Sequence, residues 1–209
     1  MDPIRVIKQD HRRVKVLFRR LEQAKSKSER QKVGEEIIEE LSVHAAIEEQ
    51  LIYPIIRNAG GSQRRESAVL NALEEHHAMK LTLAELDKMD AGDERYAAKF
   101  HVVREAVEQH IEEEEEKLLP VLERALEPEW TKDLVDAMRL MKAAAPNHPH
   151  PAAPDEPPGN LFAAMLAKMS DTGKDLIRKL TQPDKAAGHR RVQRRAVANV
   201  RAVRRTRAA

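Results

Sequence analysis

The sequence predicts an all-α protein: an up-down-up-down four-helix bundle with extra C-terminal helices and a basic tail. Three observations lead there. Apolar residues recur at spacings of three and four through long stretches, the period of one helical face. Only 7 of 209 residues are glycine and only 3% are aromatic, too few for the turns and strands of an all-β fold. A histidine–glutamate pattern also recurs 66 residues later, so the helices pair as two similar hairpins.

Asp2-Pro3 reads as an N-cap followed by proline at the first helical position. Ile4, Ile7, His11, Val14, Phe18 and Leu21 then mark one helical face, which Ser26-Lys27-Ser28 ends. A second helix is expected over about 29–57 with the seam Ile37, Leu41, His44, Glu48, Leu51 and Ile55. Gly60-Gly61 lies beyond its end, as glycines usually do. A third covers about 63–89 with the seam Val69, Leu73, His76, Met79, Leu83 and Leu86. After the turn Asp90-Ala91-Gly92-Asp93, a fourth covers about 94–125, with Phe100, Val103, Val107, His110, Glu114, Leu118 and Val121 inward. The organisation that follows is a bundle over 1–126, an additional packing helix over 127–142 and a linker over 143–159 that holds six prolines. An amphipathic helix over 160–182 and a basic, disordered tail over 183–209 complete it.

The net charge of +2 hides an asymmetry. Residues 185–209 carry nine Lys/Arg and no acid, so 28 of the 37 bases face all 35 acids upstream, a net of −7 on residues 1–184. The tail suits weak, nonspecific contact with nucleic acid or another anionic surface, and the absence of interleaved aromatics argues against base stacking. With no cysteine, disulfides, thiolate metal sites and cysteine nucleophiles are excluded. No apolar run reaches the roughly 18 residues that span a bilayer. Met1-Asp2-Pro3-Ile4-Arg5 lacks the regions of a secretory signal, and a cytoplasmic location is expected.

The four seams each carry one histidine, and two carry a glutamate four residues later, on the same side of the helix. A carboxylate in an apolar core is costly unless paired or bound to a cation. Heights agree: His11 precedes the first turn by about 14 residues and His44 follows it by about 15, roughly 21 and 22 Å. His76 and His110 come level in the same way, within one turn. Six candidate metal ligands therefore meet in one layer: His11, His44, Glu48, His76, His110 and Glu114. Imidazoles with carboxylates suit first-row metals, and carboxylates in bundle cores can bridge two of them. Six side chains cannot saturate two octahedral ions, so positions stay open for water and a small ligand.

The ordered elements Asp10-His11, His44…Glu48-Glu49, Glu75-His76 and His110…Glu114-Glu115 resemble the hemerythrin-like HHE cation-binding family over roughly residues 1–126. The resemblance implies two non-haem iron ions bridged by Glu48 and Glu114, with no haem and no nucleotide. It also implies O2, NO or peroxide as the small ligand, for sensing, storage or redox protection. The oxygen carriers of that family have five histidines, two of them in an H-x-x-x-H on helix three. Here Ala72 precedes His76 by four and Leu81 follows His77 by four. The carriers' H-x-x-x-x-D on helix four is H-x-x-x-E here. One imidazole fewer leaves the metal pair more open, which favours sensing or redox turnover over simple storage. A binding or sensing protein is preferred to an enzyme that decomposes peroxide or handles NO; a third reading is a metal-stabilised bundle whose tail docks on nucleic acid.

His76 is preferred to His77, whose seam would include Lys80 and Asp87. Within Glu112–Glu116, Glu114 alone follows the seam. Glu49 and Glu115 either support the ligands from outside or face water. Tyr53, five residues after Glu48, either reaches the edge of the metal layer or packs at the bundle rim, with the rim preferred; His101, His148, His150 and His189 are assigned to solvent, linker or tail. A ferritin-like site would need two Glu-x-x-His motifs; the chain has one, Glu74-x-x-His77, off the seam.

Overall fold

A computed structural model of the chain describes residues 2–59, 63–144 and 147–152. The expected helix over 160–182, most of the proline-rich segment and the basic tail lie outside the described residues. The described residues form helices α1 (Pro3–Gln23), α2 (Lys27–Ile47), α3 (Tyr53–Asn58), α4 (Gln63–Leu86), α5 (Tyr96–Glu113), α6 (Leu119–Ala125) and α7 (Pro128–Ala144), with no strand among them. None is long and apolar enough to cross a membrane.

Local chemistry sets the ends. Asp2 Oδ1 accepts the Ile4 N–H at 3.1 Å and caps α1. Ser26 Oγ accepts the Glu29 N–H at 3.1 Å to start α2, and Glu29 reaches back to the Lys25 N–H at 3.1 Å. In the turn before α5, Asp90 Oδ1 accepts the Gly92 N–H at 2.8 Å. Helices α1 and α2 form one hairpin and α4 and α5 the other. Gly34 lets α2 approach α5 closely, because a Cβ there would fall 2.0 Å from the Tyr96 hydroxyl oxygen.

Helices two and four of the sequence reading are not continuous α-helices. A π-helical segment, Glu48–Ile52, joins α2 to α3, and a second, Glu114–Leu118, joins α5 to α6. The Tyr53 N–H donates to the Glu48 carbonyl and the Leu119 N–H to the Glu114 carbonyl, each five residues back. A proline follows in both, Pro54 and Pro120. Proline donates no hydrogen bond and its ring crowds the carbonyl four residues earlier; widening the turn by one residue relieves both problems.

The apolar interior is divided in two. One half gathers Val14, Phe18, Ile37, Leu41, Leu83 and Val107 with their neighbours. The other gathers Ile7, Leu51, Ile55, Leu73, Leu118 and Leu122 with the inner face of α7. Between them runs a buried polar layer.

Candidate metal centre

Each long helical run passes through that layer once. His11, His44, Glu48, His76, His110 and Glu114 are all buried, and Glu48 is 0% exposed. Glu112 and Glu116 face solvent, and His101 is exposed. His76 enters the layer while its neighbour His77 is only partly buried.

The six side chains form two groups of ligand atoms that share one carboxylate. His11, His44, Glu48 and Glu114 make the first; Glu48, His76 and His110 make the second, with the ligand atoms of each group within 4.8 Å of one another. Glu48 Oε1 lies 3.0 Å from His44 Nε2 and 4.0 Å from His11 Nε2. Glu48 Oε2 lies 3.3 Å from His76 Nε2 and 4.0 Å from His110 Nε2. Each oxygen thus serves one pair of imidazoles. Glu114, expected from the family resemblance as a second bridge, stands instead with the first group alone, its Oε2 3.2 Å from His11 Nε2.

The opposite nitrogen of each imidazole faces an outer carboxylate. His11 Nδ1 donates to Glu115 at 2.9 Å, His76 Nδ1 to Glu49 at 3.0 Å and His110 Nδ1 to Glu75 at 2.8 Å. His44 Nδ1 stands 3.8 Å from Asp10. Glu49 and Glu115 therefore support histidines rather than facing open water, and each crosses to the other hairpin. A carboxylate on Nδ1 fixes the proton there and turns the Nε2 lone pair inward.

Inward-turned lone pairs lack donors. His11 Nε2, His44 Nε2, Glu48 Oε1 and both Glu114 oxygens are buried without hydrogen-bond partners, although His44 and Glu48 are close enough for an ion pair. His11 Nε2 and Glu114 Oε2 likewise stand 3.2 Å apart, so these ligand atoms crowd together within the first group. His76 Nε2 and His110 Nε2 are 3.1 Å apart, and with both Nδ1 atoms donating outward that contact sets lone pair against lone pair. Unsatisfied buried acceptors in this number are rare. A divalent cation in each group would satisfy them, so the donor set fits a pair of first-row metal ions.

Without a cation, protons carry the compensation. Burial alone would lower His44 and His76, but the adjacent carboxylates overcome it: Glu48, with Asp10, raises His44 well above its usual range, and Glu48 and Glu49 push His76 up to about 9. Burial would raise the Glu48 carboxyl, yet the His44 and His76 imidazoles hold it well below the usual carboxylate range. Glu114 is pushed up by burial and by the charge of Glu48.

Tyr53 takes the less favoured of its two expected places. Its hydroxyl is not at the rim but in the layer, 3.4 Å from Glu48 Oε2, 3.4 Å from His76 Nε2 and 3.5 Å from His110 Nε2. In an α-helix, a residue five positions on points about 140° away; the π turn brings it back over Glu48. The sequence signal was the proline after it, which marks the widened turn. Leu119 holds the equivalent place after Glu114, so no phenol enters the layer at that position.

Beside the imidazoles lies a cavity of about 20 Å³, lined by the four histidines and by Val14, Leu41, Met79, Leu83, Val107 and Ile111 among others. Its size admits roughly one water-sized molecule.

A family model described as the hemerythrin HHE cation binding domain matches residues 2–122. Over 170 residues the chain is 27% identical to an uncharacterized hemerythrin-like protein of Schizosaccharomyces pombe, covering 81% of this chain and 83% of that one. Over 138 residues it is 25% identical to a protein of Nostoc named DNA nickase, covering 66% of this chain but 38% of that protein. Among solved structures, a hemerythrin HHE cation binding domain-containing protein from Mycobacterium kansasii aligns with a TM-score of 0.57 at 23% identity, over 68% of this chain and 88% of that one. At that identity the likeness shows the fold alone.

Proposed function

We propose, from the premise that this chain belongs to the hemerythrin HHE cation-binding family, that it holds two iron ions and binds O2, NO or peroxide as a sensor or redox-protective protein. His11, His44 and Glu114 would hold one ion, His76 and His110 the other, and Glu48 would bridge them. The observation that carries the reading is the Glu48 carboxylate, whose two oxygens face separate pairs of imidazoles. When bound, the metal pair would supply open coordination positions and reversible one-electron chemistry.

The protein's own residues do the rest. Outer carboxylates orient the imidazoles and hold the proton on Nδ1. The cavity lined by Val14, Leu83 and Val107 excludes water in bulk and limits the ligand to a diatomic or peroxide-sized molecule. The Tyr53 hydroxyl faces the group that lacks Glu114, and its oxygen is a further donor there. Burial and the nearby Glu48, Glu114 and Glu49 push its ionisation well above the usual range, so it is a phenol unless a cation stands beside it.

The test is metal content on freshly purified protein, followed by optical spectra with and without O2, NO and peroxide. Two irons per chain and a spectrum that responds to one of these ligands are expected. An iron content near zero after anaerobic reconstitution with ferrous iron would sink the reading. Rapid, repeated loss of added peroxide would favour an enzyme over a sensor.

A further inference from the structure

Three of the four outer carboxylates also hold a lysine. Lys8 reaches Glu115 Oε2 at 3.1 Å, and Lys80 spans both oxygens of Glu49 at 2.9 and 3.0 Å. Lys142 reaches Asp10 Oδ1 at 2.5 Å. Lys8 and Lys80 belong to the bundle. Lys142 comes from α7, beyond the residues 2–122 that the family matches.

We propose that Lys142 is a positioning residue for the His44 side of the metal centre, so that the docking of α7 and the retention of metal at His11–His44 stabilise each other. The inference rests on the metal-binding reading above. Asp10 is 5% exposed and has two partners: Lys142 on one oxygen and His44 at 3.8 Å on the other. His44 is already the most loosely held of the four imidazoles, since the other three make contacts of 2.8 to 3.0 Å. A buried carboxylate that loses its cation is free to turn toward water, and the imidazole behind it loses its brace.

The coupling is reciprocal. α7 is held by Leu134, Ala137, Met138 and Met141, all buried against the half of the core next to the layer. A metal that fixes His44 fixes Asp10, and Asp10 then holds the last turn of α7 through Lys142. By linkage, the factor by which bound metal favours α7 docking is the factor by which α7 docking raises metal affinity.

The full-length protein is loaded anaerobically with ferrous iron and challenged with an iron chelator. Lys142→Met should release one of the two irons about ten- to a hundredfold faster, with the other unchanged. Asp10→Asn should do the same. Lys132→Met, on the exposed face of α7, should behave as wild type. Hydrogen exchange supplies a readout that stability alone does not move: iron should slow exchange across residues 128–144 in the wild type and not in Lys142→Met. Wild-type release and wild-type iron-dependent protection in Lys142→Met would overturn the coupling while leaving the metal centre intact. Wild-type release in Asp10→Asn would overturn it too, should Lys142→Met fail to fold. A wild-type protein that takes up no iron would overturn both readings together.

Discussion

The phenol oxygen of Tyr53 stands 3.4 Å from Oε2 of Glu48, five residues earlier on the same helical run. That contact exists because the run widens into a π turn between them. It makes the two metal groups unequal: one has Glu114 as its second acid, the other has a neutral phenol. Tyr53→Phe is therefore expected to weaken metal retention on the His76–His110 side alone. Metal analysis after graded chelation should show one iron lost early, and the visible spectrum of the oxidised protein should change. Unchanged release and an unchanged spectrum would return Tyr53 to a packing role.

Glu48 and Glu114 should not be equivalent. Glu48→Ala removes the only carboxylate common to both groups and is expected to abolish nearly all iron binding. Glu114→Ala touches the first group alone and is expected to leave about one iron per chain. Equal iron content in the two variants, measured by elemental analysis, would refute that asymmetry.

Protons and metal compete for the same lone pairs, and the metal-free protein should show it. The folded His76 titrates at about 9 against 6.5 for a free imidazole. A raised histidine stabilises the fold fully below its unfolded value and loses that contribution as pH climbs through the folded one. His44, raised well above the same value by Glu48 and Asp10, adds to the loss. Chelator-treated protein should thus become easier to denature between about pH 6.5 and 9, by denaturant titration at constant salt. Iron-loaded protein should not, because metal replaces the protons. A metal-free protein that is equally stable at both ends of this window would contradict the assignment.

Gly34 has a steric duty. The Tyr96 hydroxyl, which donates to the Arg30 carbonyl at 3.4 Å, occupies the space a Cβ would need. Gly34→Ala should cost about 1–3 kcal/mol, seen as a lower thermal midpoint. Adding Tyr96→Phe should recover part of it. A midpoint within a degree or so of wild type would show that α2 and α5 can separate cheaply.

Much of the molecule was legible along the chain. Helical class, the two-hairpin repeat and the meeting of four histidines with two glutamates follow from periodicity and rise per residue. Those depend on local geometry, which repeats from turn to turn. His76 could be chosen over His77 because only one of them continues an apolar seam. The divided core is equally a property of spacing, since each seam is apolar on both sides of its polar residue.

Other features were settled only by the packed chain. Tyr53 reaches the layer and not the preferred rim because one widened turn rotates everything after it, and a strict 3.6-residue period does not favour that. Glu49, Glu115, Asp10 and Glu75 found their histidines on neighbouring helices, and Lys142 reached Asp10 across 132 positions of sequence. Which of several acids flanking the seams braces which imidazole depends on how helices rotate and lean against one another, and that is decided by the whole core at once. The sequence by itself determined which residues meet in the polar layer; the tertiary structure decided how those residues are oriented, because orientation comes from neighbours that are near in space and remote along the chain.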